Sequence, residues 1–138
     1  MYLLDTNVLS GLRKPERANR GLIDWADAVP ETLFFLSSMT IFEIELGAAR
    51  MERRDHQQGR TLRNWINDVV LANFANRILP IDAAVAARAA RLHVPDPRPE
   101  RDALIAATAL VHGMTVVTRN VADFKDLGVP LIDPWNLA

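Results

Sequence analysis

Short runs that are apolar at nearly every residue constrain this chain most. Tyr2-Leu3-Leu4, Leu33-Phe34-Phe35-Leu36 and Ile78-Leu79-Pro80-Ile81 offer no polar face to water, and Thr115-Val116-Val117-Thr118 is a β-branched run of the same kind. A strand with no solvated face belongs in a sheet covered on both sides, and such sheets are parallel. Leu131-Ile132 is expected to be a last short strand. Helical spacing fills the intervals. Residues 20–29 carry Leu22, Trp25, Ala26 and Val29, and residues 39–52 carry Ile41, Ile44 and Ala48. Residues 55–75 place Leu62, Trp65, Ile66, Val69 and Val70 on one stripe. An alanine-rich helix is expected over 82–93. Val94-Pro95-Asp96-Pro97-Arg98-Pro99 cannot continue it, because each proline lacks an N–H and restricts the residue before it. The next helix runs from Glu100 to His112, where Gly113 provides a left-handed terminator.

Strands alternating with helices imply parallel pairing through right-handed crossovers. The expected fold is α/β, a three-layer α/β/α sandwich with a short parallel sheet. No internal repeat is present, and 138 residues suit one domain over 1–138. With 49% hydrophobic and 24% charged residues, the chain has enough apolar material to exclude disorder as its dominant state.

Cysteine is absent, which excludes disulfides, a thiolate nucleophile, iron–sulfur clusters and cysteine-type zinc sites. No apolar run approaches the roughly 18 residues of a membrane span. Met1-Tyr2-Leu3-Leu4-Asp5 has no basic stretch and meets a carboxylate at once, unlike a signal peptide. A cytoplasmic protein without membrane partners is expected. The net charge of −1 argues against nucleic-acid binding by bulk electrostatics alone. Arg50, Arg53, Arg54, Arg60 and Arg63 form a local exception, balanced by Glu52 and Asp55, and are expected on a solvated helix face. A phosphate-tracking surface is the alternative.

In a parallel sheet the ligand crevice lies beyond the carboxyl ends of the strands. Asp5 directly follows the first strand. Glu43 lies early in the helix after the second, and Asp102 lies in the first turn of the helix after the proline-rich loop. Thr118 ends a later strand, with Asn120 and Asp123 just beyond. Each has an ordinary explanation. Asp5 suits a helix cap, Thr40-x-x-Glu43 a capping box, Asp102 the positive end of a helix, and Asp123 a turn. Separate caps have no reason to converge on one sheet edge, so a shared crevice of carboxylates is the expectation. Clustered carboxylates repel unless a cation sits among them. Hard oxygen donors suit Mg²⁺ or Mn²⁺, and such a site can activate water towards a phosphodiester.

Leu3-Leu4-Asp5-Thr6-Asn7-Val8-Leu9-Ser10 resembles the opening motif of PIN-domain ribonucleases of the VapC/FitB toxin type. The resemblance continues through Ser37-Ser38-Met39-Thr40-Ile41-Phe42-Glu43-Ile44-Glu45-Leu46-Gly47 and Asp102-Ala103-Leu104-Ile105-Ala106-Ala107-Thr108-Ala109. It extends through Thr115-Val116-Val117-Thr118-Arg119-Asn120-Val121-Ala122-Asp123-Phe124, and Asp133-Pro134-Trp135-Asn136 is similar to the tail of FitB-like members. The resemblance implies a Mg²⁺-dependent endoribonuclease toxin. Asp5 and Asp102 would be its principal metal ligands, and Glu43 would complete the acidic triad. Some relatives have Asp where this chain has Asn120, so either Asp123 substitutes or Asn120 lends a neutral oxygen. Thr118 would orient a carboxylate or the attacking water, or serve as a plain strand residue. Implied partners are a small cognate antitoxin protein, an RNA substrate and a second copy in a homodimer, with operator DNA reached only through the antitoxin. Trp25 and Trp65 are candidate anchors for such partners, with the core as their alternative place.

Two rival readings remain on the residues. His56, His93 and His112 lack metal-ligand spacing, no G-x-S-x-G occurs, and neither phosphate-cradling glycine motif is present. An aspartyl-phosphate phosphatase would use Asp5 as nucleophile but wants a second Asp where Asn7 stands, and Lys14 and Lys125 lie in other contexts. A non-catalytic PIN-like binding module is the other rival, although a binder of phosphate gains nothing from buried negative charge.

Overall fold

The computed structural model describes residues 1–137. Its five strands are β1 (Tyr2–Leu4), β2 (Phe34–Ser37), β3 (Ile78–Leu79), β4 (Thr115–Val117) and β5 (Leu131–Ile132). All pair in parallel, in the order β3-β2-β1-β4-β5. The chain builds outward from β1 to β3, then returns to β1's other edge to place β4. The order of strands therefore reverses between β1 and β4, where an α/β sheet opens its crevice.

The helices are α1 (Thr6–Gly11), α2 (Arg20–Ala28), α3 (Ser38–Arg54), α4 (His56–Trp65), α5 (Leu71–Asn73), α6 (Ala83–Leu92), α7 (Glu100–His112) and α8 (Val121–Phe124). Successive strand residues point to opposite faces, and the core divides accordingly. Leu4, Leu36 and Val117 meet Val8, Leu22, Ile44 and Ile66 on one face. Leu3 and Val116 meet Ile105, Ala106 and Ala109 of α7 on the other. Alanines let α7 lie close to the sheet, while Val85 and Ala89 of α6 pack on its Ala107. This is the expected three-layer arrangement. Trp25 and Trp65 pack against the first of these clusters rather than standing free.

Side-chain caps set several helix starts. Asn19 accepts from the Leu22 amide, Asp55 from the Gln57 and Gln58 amides, and Asp82 from the Val85 amide. Gly113 (φ 66°) ends α7 in the left-handed region. The capping box that the Thr40-x-x-Glu43 spacing allows does not form. Ser37 caps α3 one turn earlier by accepting from the Met39 amide, which leaves the Glu43 carboxylate for other partners.

Other boundaries move for local reasons. Leu33 ends a 3-10 turn, Glu31–Leu33, and the strand starts one residue later. The stretch expected as one helix over 55–75 contains a π-helical turn at Ile66–Val70, closed by the Leu71 amide donating to the Ile66 carbonyl. The wider turn keeps Ile66 and Val70 in the core but swings Val69 out to 45% exposure, so Val69 leaves the predicted stripe. Of the basic run, Arg63 joins Glu45 and Glu52 in a clamp between α4 and α3, while Arg50, Arg53, Arg54 and Arg60 stay exposed.

Helices α3 and α4 approach through Gly59. A Cβ there would lie 2.4 Å from the Glu52 Cα and 2.6 Å from its amide nitrogen. Backbone cannot give way as a side-chain tip can, so Gly59→Ala is expected to destabilise the chain by about 2 kcal/mol. Urea denaturation checks this; an unchanged midpoint would contradict the packing.

Candidate active site

The site starts from Asp5, the residue after β1. Its amide donates to the Val117 carbonyl at 2.9 Å, which continues the β1–β4 ladder and fixes the backbone at the switch. The residue is only 6% exposed. Oδ1 accepts from the Thr6 amide at 2.8 Å as the cap of α1, and Oδ2 accepts from Thr118 Oγ1 at 2.8 Å and Asn7 Nδ2 at 3.2 Å. A carboxylate has about four acceptor positions. Three are taken by neutral donors, and the negative charge has no cation on it.

Thr118, fully buried one residue past β4, holds this arrangement together. Its hydroxyl donates to Asp5 and accepts from Asn7 Nδ2 at 3.2 Å and the Asn120 amide at 3.0 Å. Asn7 also accepts the Arg119 amide at 3.0 Å through Oδ1. Glu43 reaches the site from α3, where its Oε1 accepts the Thr6 hydroxyl at 2.8 Å. Asp102 enters from the first turn of α7, and Asp123 from the first turn of α8.

The charges of these four acids act on one another. Burial first, and then the charges of Asp123, Asp5 and Glu43, push the Asp102 carboxyl up to about 6. Burial also raises Asp5, against the hydrogen bonds from Thr118, Thr6 and Asn7, with Asp123 adding to the rise. The cation beside the cluster is Arg101, half exposed, with its Nη1 3.8 Å from Glu43 Oε2. Among the described residues, no three acidic or imidazole groups are already drawn together as a metal-ligand set. The donors nevertheless fit a hard divalent ion: they are oxygens, they raise one another's proton affinity, and only Glu43 has a guanidinium within ion-pair distance.

The profile of the PIN domain family matches residues 2–129. The chain belongs to the PIN domain family. As a PIN domain it is 35% identical to the VapC ribonuclease Y4jK of Sinorhizobium fredii, over the whole of both chains. It superposes on the FitAcB crystal structure from Neisseria gonorrhoeae with a TM-score of 0.89 at 34% identity, covering 99% of this chain and 100% of that one. The FitAB structure bound to a DNA fragment gives the same TM-score and identity, covering 100% and 98%.

In this PIN domain Asp5, Glu43, Asp102 and Asp123 come from four elements remote in sequence, and the other three all raise the proton affinity of Asp102. Asn120 touches the network through its backbone amide. Thr6 and Asn7 also build the site, although by sequence they stand out only as part of the opening motif. Three consecutive polar residues straight after a buried strand are the signal that points to them. Asn7 is a neutral amide spent on holding Asp5, in the place where aspartyl-phosphate chemistry needs an acid/base carboxyl. Among the described residues, no helix is long and apolar enough to cross a membrane.

The raised pKa of Asp102 has a measurable sign. Without metal, the folded chain keeps that proton up to about 6, whereas the unfolded chain releases it near 3.8. The folded state binds more protons in this window, so the penalty of ionised Asp102 is relieved as pH falls through 6. The melting temperature of the EDTA-treated protein is expected to rise as pH drops from about 7 to about 5, and Asp102→Asn to flatten that rise. Thermal denaturation across pH checks it; identical profiles for the two proteins would contradict the assignment.

Proposed function

We propose that this PIN domain is a metal-dependent endoribonuclease, the toxin of a toxin–antitoxin pair, acting in the cytoplasm as a homodimer. The observation that carries the reading is Asp5, buried at the β1–β4 switch with no cation on it and raised together with Asp102 by burial and neighbouring carboxylates. The ribonuclease name of the Sinorhizobium relative and the Fit complexes support the choice of substrate and partner. Asp5 and Asp102 would hold Mg²⁺ or Mn²⁺, Glu43 would complete the triad directly or through water, and Asp123 would be the fourth carboxylate. A bound divalent ion supplies the positive charge that lets water attack phosphorus at neutral pH and that steadies the leaving oxygen.

This chain's own residues do the positioning. Thr118, Asn7 and the Thr6 amide fix both oxygens of Asp5, so it needs no reorganisation when substrate arrives. Thr6 fixes Glu43 in turn. Cleavage would leave a 5′-phosphate and a 3′-hydroxyl. The same negative crevice suits an inhibitory arginine from an antitoxin tail, since guanidinium matches carboxylate. Operator DNA would be reached through that antitoxin.

Asp5→Asn and Asp102→Asn are each expected to lower Mg²⁺-dependent RNA cleavage about 100-fold or more, with circular dichroism unchanged. Thr118→Val is expected to lower it about tenfold and Thr118→Ser to restore most of it, because serine keeps the hydroxyl. Cleavage of single-stranded RNA with sequencing of the new ends measures all four. Full activity in both Asp variants rejects the reading. No cleavage and no Mn²⁺-induced thermal shift in the unmodified protein favours a non-catalytic binding module.

A further inference from the structure

The sheet order assigns sides to the acidic centre. Glu43 follows β2 on one side of Asp5, and Arg119 follows β4 on the other. On the β4 side lies a cleft of about 420 Å³, walled by Asn7, Gly11, Arg17, Asn19, Arg119 and Trp135. Its character reverses that of the centre: its walls include two arginines and no carboxylate. Asn7 is the shared wall. Its Nδ2 donates to Asp5 at 3.2 Å while its Oδ1 accepts the Arg119 amide at 3.0 Å. Among the described residues, ion pairs engage Arg20, Arg63 and Arg101, so the exposed Arg17 and Arg119 have no acidic partner.

The aromatic wall is held by contacts on both its backbone and its ring. The Trp135 amide donates to Asp133 Oδ1 at 2.9 Å. Gly11 has no Cβ to obstruct the indole; one there would lie 3.2 Å from Trp135 Cζ2. At Gly21 a Cβ would meet the Pro134 carbonyl at 2.8 Å. Two glycines thus let the turn Pro134–Asn136 lie against α1 and α2. The Arg119 guanidinium sits over the Trp135 ring, 5.4 Å from its centroid.

We propose that this cleft is a subsite for one nucleotide of the RNA strand beside the cut, with Arg17 on its phosphate and the stacked Arg119–Trp135 pair against its base. The proposal rests on the ribonuclease reading above. Single-stranded nucleic acid is held by cations tracking the backbone and by planar side chains that stack bases. Four carboxylates repel a phosphodiester, so a strand drawn across them needs a cationic anchor close by, and this cleft provides it one residue from Thr118.

The test measures RNA binding apart from cutting. The full-length chain in EDTA is titrated into a short fluorescein-labelled single-stranded RNA, and anisotropy gives Kd. Arg17→Ala and Arg119→Ala are each expected to raise Kd about tenfold, while Arg88→Ala, an exposed charge on α6, stays within about twofold. With Mg²⁺ present, the two cleft variants are expected to raise KM and leave kcat near the unmodified value. Equal effects from Arg88→Ala, no effect from the cleft variants, or no saturable binding by the unmodified protein would overturn the subsite. Unchanged RNA binding with altered self-association in size-exclusion chromatography would also overturn it, and make the cleft an interface between copies. If the binding pattern holds but no RNA is cut, the subsite stands and the ribonuclease reading fails.

Discussion

A buried carboxylate held only by neutral groups is the constraint around which this structure is organised. Asp5 is nearly inaccessible, yet its hydrogen bonds come from an amide, a hydroxyl and a carboxamide. Those donors steady the charge without cancelling it. Three further acids then crowd the same crevice, and the pKa of Asp102 rises among them. Such an arrangement is unfavourable for the isolated chain and becomes favourable when positive charge arrives. The two core clusters that flank the sheet supply the apolar burial that offsets it.

Sheet topology converts that local chemistry into a site. β1 is central, and both of its neighbours run parallel to it, so the residues just past β1, β2 and β4 emerge at one edge. Asp5, the start of α3 and Thr118 meet there through strands only a few residues long. Precision comes from the ladder continuing past the strand ends, where the Asp5 amide still bonds Val117 and the Thr118 amide bonds Ile132.

Much of this was legible in the linear order. Solid apolar runs separated by helical spacing led to a covered parallel sheet, and the position of Asp5, Glu43, Asp102 and Asp123 relative to those runs led to one crevice. Hydrogen-bond partners were not legible. Thr40 and Glu43 have capping-box spacing, but Ser37 is closer to the true start of α3, and a hydroxyl from another element takes Glu43. The cleft beside Asn7 was also hidden. It joins Arg17, Arg119 and Trp135, which only the return of the last turn onto α1 and α2 brings together. Helical periodicity failed at Val69 because the pattern assumes a uniform pitch, and Ile66–Val70 departs from it.

That widened turn has a broader meaning. It is how a helix carries one residue more than its length requires while the segments before and after keep their phase. Trp65 upstream and Phe74 downstream both reach the same cluster. The wider turn therefore takes up the extra residue locally, and the apolar side chains on both sides of it keep their places in the core.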